Sequence, residues 1–109
     1  IVLGVPLKQA HQWAKGELSD LDLILSIRKG DCGAVWWATL PRIEEFSRGI
    51  ETAKQLFLDG AEIVIAHTQH PLVRKRFERF GGSVTHQAGD CSRLLLPKDG
   101  FERWISRLV

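Results

Sequence analysis

Apolar positions fall in short runs whose spacing alternates between strand-like and helix-like, with glycine or proline at most of the changeovers. Ile1 to Val5 is an apolar run halted by Pro6 and reads as a short buried strand. From Leu7 to Gly16, residues Leu7, Ala10, His11 and Ala14 recur at helical spacing, and Gly16 is placed to end the helix. Leu21-Asp22-Leu23-Ile24-Leu25-Ser26-Ile27 reads as a strand. The turn Lys29-Gly30-Asp31-Cys32-Gly33 then leads into a second strand, Ala34 to Leu40, so the two predict a hairpin.

Pro41 closes that strand, and the pattern predicts a helix from Ile43 or Ser47 to Leu58. Its inward stripe is Ile50, Ala53, Lys54 and Phe57, with Lys54 lending its aliphatic stem, and Gly60 ends it. Ala61 to Ala66 is rich in β-branched residues and reads as a strand covered on both faces. Pro71 suits a first helical turn, so Pro71 to Phe80 reads as a helix stopped by Gly81-Gly82. Ser83 to Gln87 and Ser92 to Leu96 predict a final hairpin around Ala88-Gly89-Asp90, and Phe101 to Leu108 a closing amphipathic helix. The resulting order, β-α-β-β-α-β-α-β-β-α, requires an α/β layer architecture rather than a bundle or a sandwich.

Length changes this picture little: 109 residues without repeat or linker fit one domain, residues 1–109, able to close its own core. With 44% apolar and 26% charged residues the chain is ordinary for a soluble globular protein, and no run approaches the roughly eighteen apolar residues of a membrane span. Lys8 and His11 follow the first apolar run at once, which argues against a secretory signal. Met is absent even at position 1, which reads as a start after a missing or processed N-terminus. Two cysteines give no disulfide framework and point to a reduced, cytoplasmic setting. A net charge of +2 makes no demand for a nucleic-acid partner.

One stretch carries a more specific signal. Ala61-Glu62-Ile63-Val64-Ile65-Ala66-His67-Thr68 is followed by the helix ending Arg76-Phe77-Glu78-Arg79-Phe80-Gly81-Gly82 and then by Ser83-Val84-Thr85. This rhythm, with the element order from Val2 to Leu96, resembles the GNAT acyltransferase family. The resemblance implies a single-domain α/β fold with a mixed, mostly antiparallel sheet flanked by helices. It also implies a site for acetyl-CoA or another acyl-CoA after the strand Ala34 to Leu40. Arg48, Gly49 and Ile50 would hold the pyrophosphate there, and the amides of Ala38 to Leu40 would polarise the thioester carbonyl. His67, or Glu44 or Glu45 through a water, would deprotonate an amine acceptor.

Two departures from the family pattern weigh against that chemistry. Glu51 stands where a second small residue belongs in the phosphate motif, and a carboxylate there repels phosphate; Arg42 and Arg48 offset it in part. Many family members protonate the departing thiolate with a Tyr; the matching position here is Phe77, and the chain contains no Tyr. A degraded phosphate loop beside a retained strand-helix-glycine unit is similar to the GNAT-like internal virion proteins of short-tailed bacteriophages. The resemblance therefore implies a non-catalytic binding or assembly module, with acyl transfer to an amine as the alternative. The acceptor or protein partner is not specified by the residues.

Other constellations have both a functional and an ordinary reading. His67 and His70 flank a strand's carboxyl end, where α/β sheets place ligands. They suit a general base, or half of a metal site completed by His86, Cys32 or Cys91. The plain alternative is a polar loop beside a helix N-cap, and one local pair falls short of a metal's three or four ligands. Trp36-Trp37 points to opposite faces of its strand: one belongs in the core, the other in the second layer or an acyl groove. Arg74-Lys75-Arg76 and Arg79 form a basic helix face that attracts phosphate or is simply solvated; without exposed aromatics among the charges, nucleic-acid binding is the weaker reading. Cys32 and Cys91 have no activating neighbour in sequence.

Overall fold

The computed structural model describes residues 2–38 and 43–107, with side chains at 2–38 and 49–107. The elements run β1 (Val2–Val5), α1 (Leu7–Ala14), α2 (Asp20–Leu25), β2 (Ala34–Trp37), α3 (Ile43–Leu58), β3 (Ile63–Thr68), α4 (Pro71–Arg79), β4 (Ser83–Ala88), β5 (Cys91–Pro97) and α5 (Lys98–Ser106). The strands form one sheet in the order β1-β2-β3-β5-β4. Only β2 and β3 are parallel, joined across α3; β1–β2, β3–β5 and β4–β5 are antiparallel. The α/β class and the mixed, mostly antiparallel sheet flanked by helices are as expected. No helix among the described residues is long and apolar enough to cross a membrane.

The segment Leu21 to Ile27 corrects the reading: it forms α2, so the expected hairpin with Ala34 to Leu40 does not exist. The cause is local. Ser19 caps the helix through its Oγ, which accepts from the Asp22 amide at 3.1 Å, while the Asp22 carboxylate accepts from the Ser19 amide at 3.4 Å. This reciprocal capping box satisfies two otherwise orphaned donors and commits the chain to a helical turn. The edge position beside β2 is taken instead by β1, with Val2 opposite Trp37 and Val5 opposite Ala34. β2 itself ends at Trp37, and the remainder of the expected strand, Thr39 to Leu40, lies outside the described residues.

The glycine stops operate through backbone geometry. At the end of α4, Gly81 takes φ +90; its amide reaches the Glu78 carbonyl, and the Gly82 amide reaches that of Phe77 at 2.7 Å. The end of α1 repeats the device, with Gly16 at φ +81 and the Glu17 amide bonded to the Gln12 carbonyl. Both are Schellman closures, which require a residue tolerant of the left-handed region.

The sheet separates two cores. On one face α1 and α2 contribute Trp13 and Leu23 and cover Val5, Trp36, Ile63 and Ile65; on the other α3, α4 and α5 cover Trp37, Val64, Leu94 and Leu96, with Phe57, Phe77, Phe101 and Trp104 contributed by the helices. Both members of the Trp36-Trp37 pair are therefore buried, each in a different core. The second core is strongly aromatic: Trp104 stacks on Phe80 at 5.6 Å and meets Phe77 edge-on at 5.4 Å. Each such pair adds about 0.5–1.5 kcal/mol beyond the area it buries.

Candidate functional site

The carboxyl ends of β2 and β3 are where a parallel pair exposes free backbone and where α/β sheets bind ligands. Pairing between them runs from Ala34↔Ile63 to Trp37↔Ala66 and ends there, while β3 continues through His67 and Thr68. Successive β3 residues face opposite sides, so this end carries two distinct chemical surfaces.

On the α1 side, the register places His67 opposite Arg93, and Arg93 opposite His86, in one row across β3, β5 and β4. The His67 ring lies 6.0 Å from that of Trp13, and the Arg93 guanidinium sits 4.6 Å above the Trp13 ring. Arg93 Nη1 donates to the Trp13 carbonyl at 2.6 Å and to the Leu18 carbonyl at 2.8 Å. These are charge-assisted bonds to the last turn of α1, whose Trp13 carbonyl also accepts from the Gly16 amide, and to the loop after it, where the helix dipole favours a cation. Arg93 thereby fastens α1 to the sheet. His86 packs on Gly16, where an added Cβ would lie 2.6 Å from its ring. Trp13 is tied in turn to α2, its indole N–H donating to Asp20 at 2.8 Å. The indole N–H of Trp36, in the same core, is buried and meets no acceptor.

On the α4 side, a polar pocket of about 410 Å³ opens between the start of α4 and the β4–β5 turn, lined by Thr68, His70, Arg74, Gln87, Asp90 and Ser92 among others. Thr68 and Ser92 face each other across β3 and β5 and are both buried, unusual for hydroxyl side chains. Each has a partner: Thr68 accepts from the His70 amide at 3.0 Å, and Ser92 donates to the Gln87 side chain at 2.6 Å. Arg74 also pairs with Glu78 at 3.4 Å.

The sequence-derived site residues are dispersed relative to these surfaces. His67 is half-buried beside Trp13 on the α1 side. Ala38 follows the last paired residue of β2 and packs against the same core. Gly49 and Ile50 lie on the opposite face, within α3 and beyond its first turn, where backbone amides have partners inside the helix. Gly49 is buried against Trp37 and Val2, and Ile50 packs on that core. Leu40 and the side chains of Glu44, Glu45 and Arg48 lie outside the described residues. Glu51 is turned to solvent, its side chain 84% exposed and paired with Lys54 at 3.4 Å. Phe77, expected from the resemblance to stand in place of a catalytic Tyr, is a core residue.

Among the described residues no group of three or more His, Cys, Asp or Glu is placed to hold a metal ion. Cys32 and Cys91 are free and partly buried. Sequence reasoning did not find the anchoring role of Arg93 or the buried hydroxyl pair. The available signal was the switch within β5 from Cys91-Ser92-Arg93 to Leu94-Leu95-Leu96, which marks where the strand leaves the core for a polar rim. No protein-family model, curated protein or solved structure matches the chain.

Proposed function

We propose that the chain is a GNAT-like domain that serves as a binding or assembly module rather than as an acyltransferase. The observation that carries this reading is the burial of Phe77. It is 1% exposed, edge-on to Trp104 at 5.4 Å, in the core beneath α4 and α5. A side chain there has no path to a departing thiolate, whatever its chemistry, and the chain has no Tyr elsewhere. Gly49 supports the same reading. Its missing side chain is accounted for by Trp37 and Val2, without any phosphate needing to approach the backbone. An assembly role of the kind implied by the likeness to phage internal virion proteins is the form this module would take.

Acyl transfer is the second reading, and one observation favours it. The buried Trp36 N–H lacks an acceptor on the strand that would border an acyl chain, and a ligand carbonyl would supply one. Calorimetric titration with acetyl-CoA separates the two. No heat of binding up to millimolar ligand is the expected result. Micromolar binding that Trp36→Phe abolishes, together with release of free thiol when an amine acceptor is added, would replace the module by the enzyme.

A further inference from the structure

We propose that the outer face of α2 is a homodimer surface, on which a second copy of this chain lays its own α2 antiparallel about a two-fold axis. This inference rests on α2 and its flanks and stands whether or not acyl-CoA binds.

Of the α2 residues only Leu23 is buried in the chain's own core. Leu21, Ile24 and Leu25 are 63%, 48% and 74% exposed, and Ile27 just beyond is 38% exposed. The first three stand at i, i+3 and i+4, so they form one contiguous apolar stripe on one side of the helix. Single exposed apolar residues are ordinary, but a continuous patch rimmed by charge marks a contact surface.

The rim identifies the partner. Glu17, Asp20 and Asp22, with Lys15 before them, lie towards the amino-terminal end of the stripe, and Arg28 and Lys29, with Asp31 in the same turn, at the carboxyl-terminal end; all are exposed, and the two ends are net acidic and net basic. Asp20 accepts from the Trp13 indole and Asp22 belongs to the α2 cap, but among the described residues none of Glu17, Asp20, Asp22, Arg28 and Lys29 takes part in an ion pair. The sign of charge thus reverses along the stripe. A second copy laid parallel would oppose like charges at both ends. Laid antiparallel it sets each acidic end on a basic end, with leucines and isoleucines between. One patch that complements itself on reversal is the requirement for an isologous two-fold contact. The patch is small against a standard interface, so the dimer forms reversibly with rising concentration.

Sedimentation equilibrium of the purified chain up to about 1 mM tests this. The expected result is a monomer–dimer equilibrium. Leu25→Asp, at a position already exposed in the monomer, should weaken it at least about tenfold while leaving the thermal melt unchanged. Glu17→Lys and Lys29→Glu should each weaken it, and the double variant, which restores opposite charges across the axis, should recover most of the loss. A monomer at every concentration overturns the proposal and leaves the face to a different partner. A dimer indifferent to Leu25→Asp overturns it by placing the contact elsewhere. A double variant no better than the singles overturns the antiparallel arrangement.

Discussion

Gly49 and Trp37 are in direct register across the α3–sheet boundary: a Cβ on Gly49 would lie 2.5 Å from Trp37 Cζ2 and 2.6 Å from Val2 Cγ2. Neither neighbour is the free end of a flexible chain, so an added methyl must displace a buried indole or the edge strand β1. Overpacking of this kind costs about 1–3 kcal/mol, which outweighs the gain of about 0.5–1 kcal/mol from replacing glycine by alanine within a helix. Gly49→Ala is therefore expected to lower the urea midpoint. A midpoint that rises would show that helix propensity, and not the Trp37 contact, governs this position.

Phe77→Tyr tests whether a phenol at this position could act as the acid that the proposed GNAT likeness would call for. The new hydroxyl enters a core formed with Trp104, and burying it without an acceptor costs about 1–3 kcal/mol. The variant should be less stable and should release no thiol from acetyl-CoA in a thiol-trapping assay with amine acceptors. Turnover by this variant would overturn the argument that a side chain at position 77 has no path to a departing thiolate.

Arg93→Lys examines the fastening of α1. Lysine keeps the charge but cannot reproduce the planar stacking on Trp13 together with bonds to the Trp13 and Leu18 carbonyls. A loss of about 1–3 kcal/mol is expected by chemical denaturation, since hydrogen bonds to charged groups are worth that much. Unchanged stability would mean that the aliphatic contacts of α1 hold it without Arg93.

Ser19→Ala removes the cap of α2. The expected cost is about 0.5–2 kcal/mol, concentrated locally, so amide exchange from Asp22 to Ser26 should accelerate more than exchange in β3. Equal acceleration throughout would show that α2 opens only with the whole domain.

Most of the layer plan was legible because proline and glycine punctuate the chain. Pro71 and Gly81-Gly82 bracket α4, and Ala88-Gly89-Asp90 marks the turn between β4 and β5. The failure at Leu21 to Ile27 has a definite cause. Over seven residues, alternation and the i, i+3, i+4 stripe both fit leucines at 21, 23 and 25 with isoleucine at 24. The deciding signal lay upstream, in Ser19 and Asp22. The choice of β1 as the neighbour of β2 depends on a pairing between distant segments, which periodicity does not encode. The same holds at the site. His67 could be placed at a strand's carboxyl end from its position alone. Its neighbours Arg93 and His86, and the facing of Thr68 and Ser92, depend on the β3–β5–β4 register and on the shift between Val84 and His86.

The division of the core by the sheet gives the molecule two internal optical reporters. Its four tryptophans are shared equally: Trp13 and Trp36 under α1 and α2, Trp37 and Trp104 under α3 to α5. The α1–α2 layer is attached through few elements, whereas the other face holds three helices. Detachment of that lighter layer would shift the emission of one indole pair while the other stayed dark to the change. Single-tryptophan variants could therefore time the peeling of one layer against the collapse of the whole.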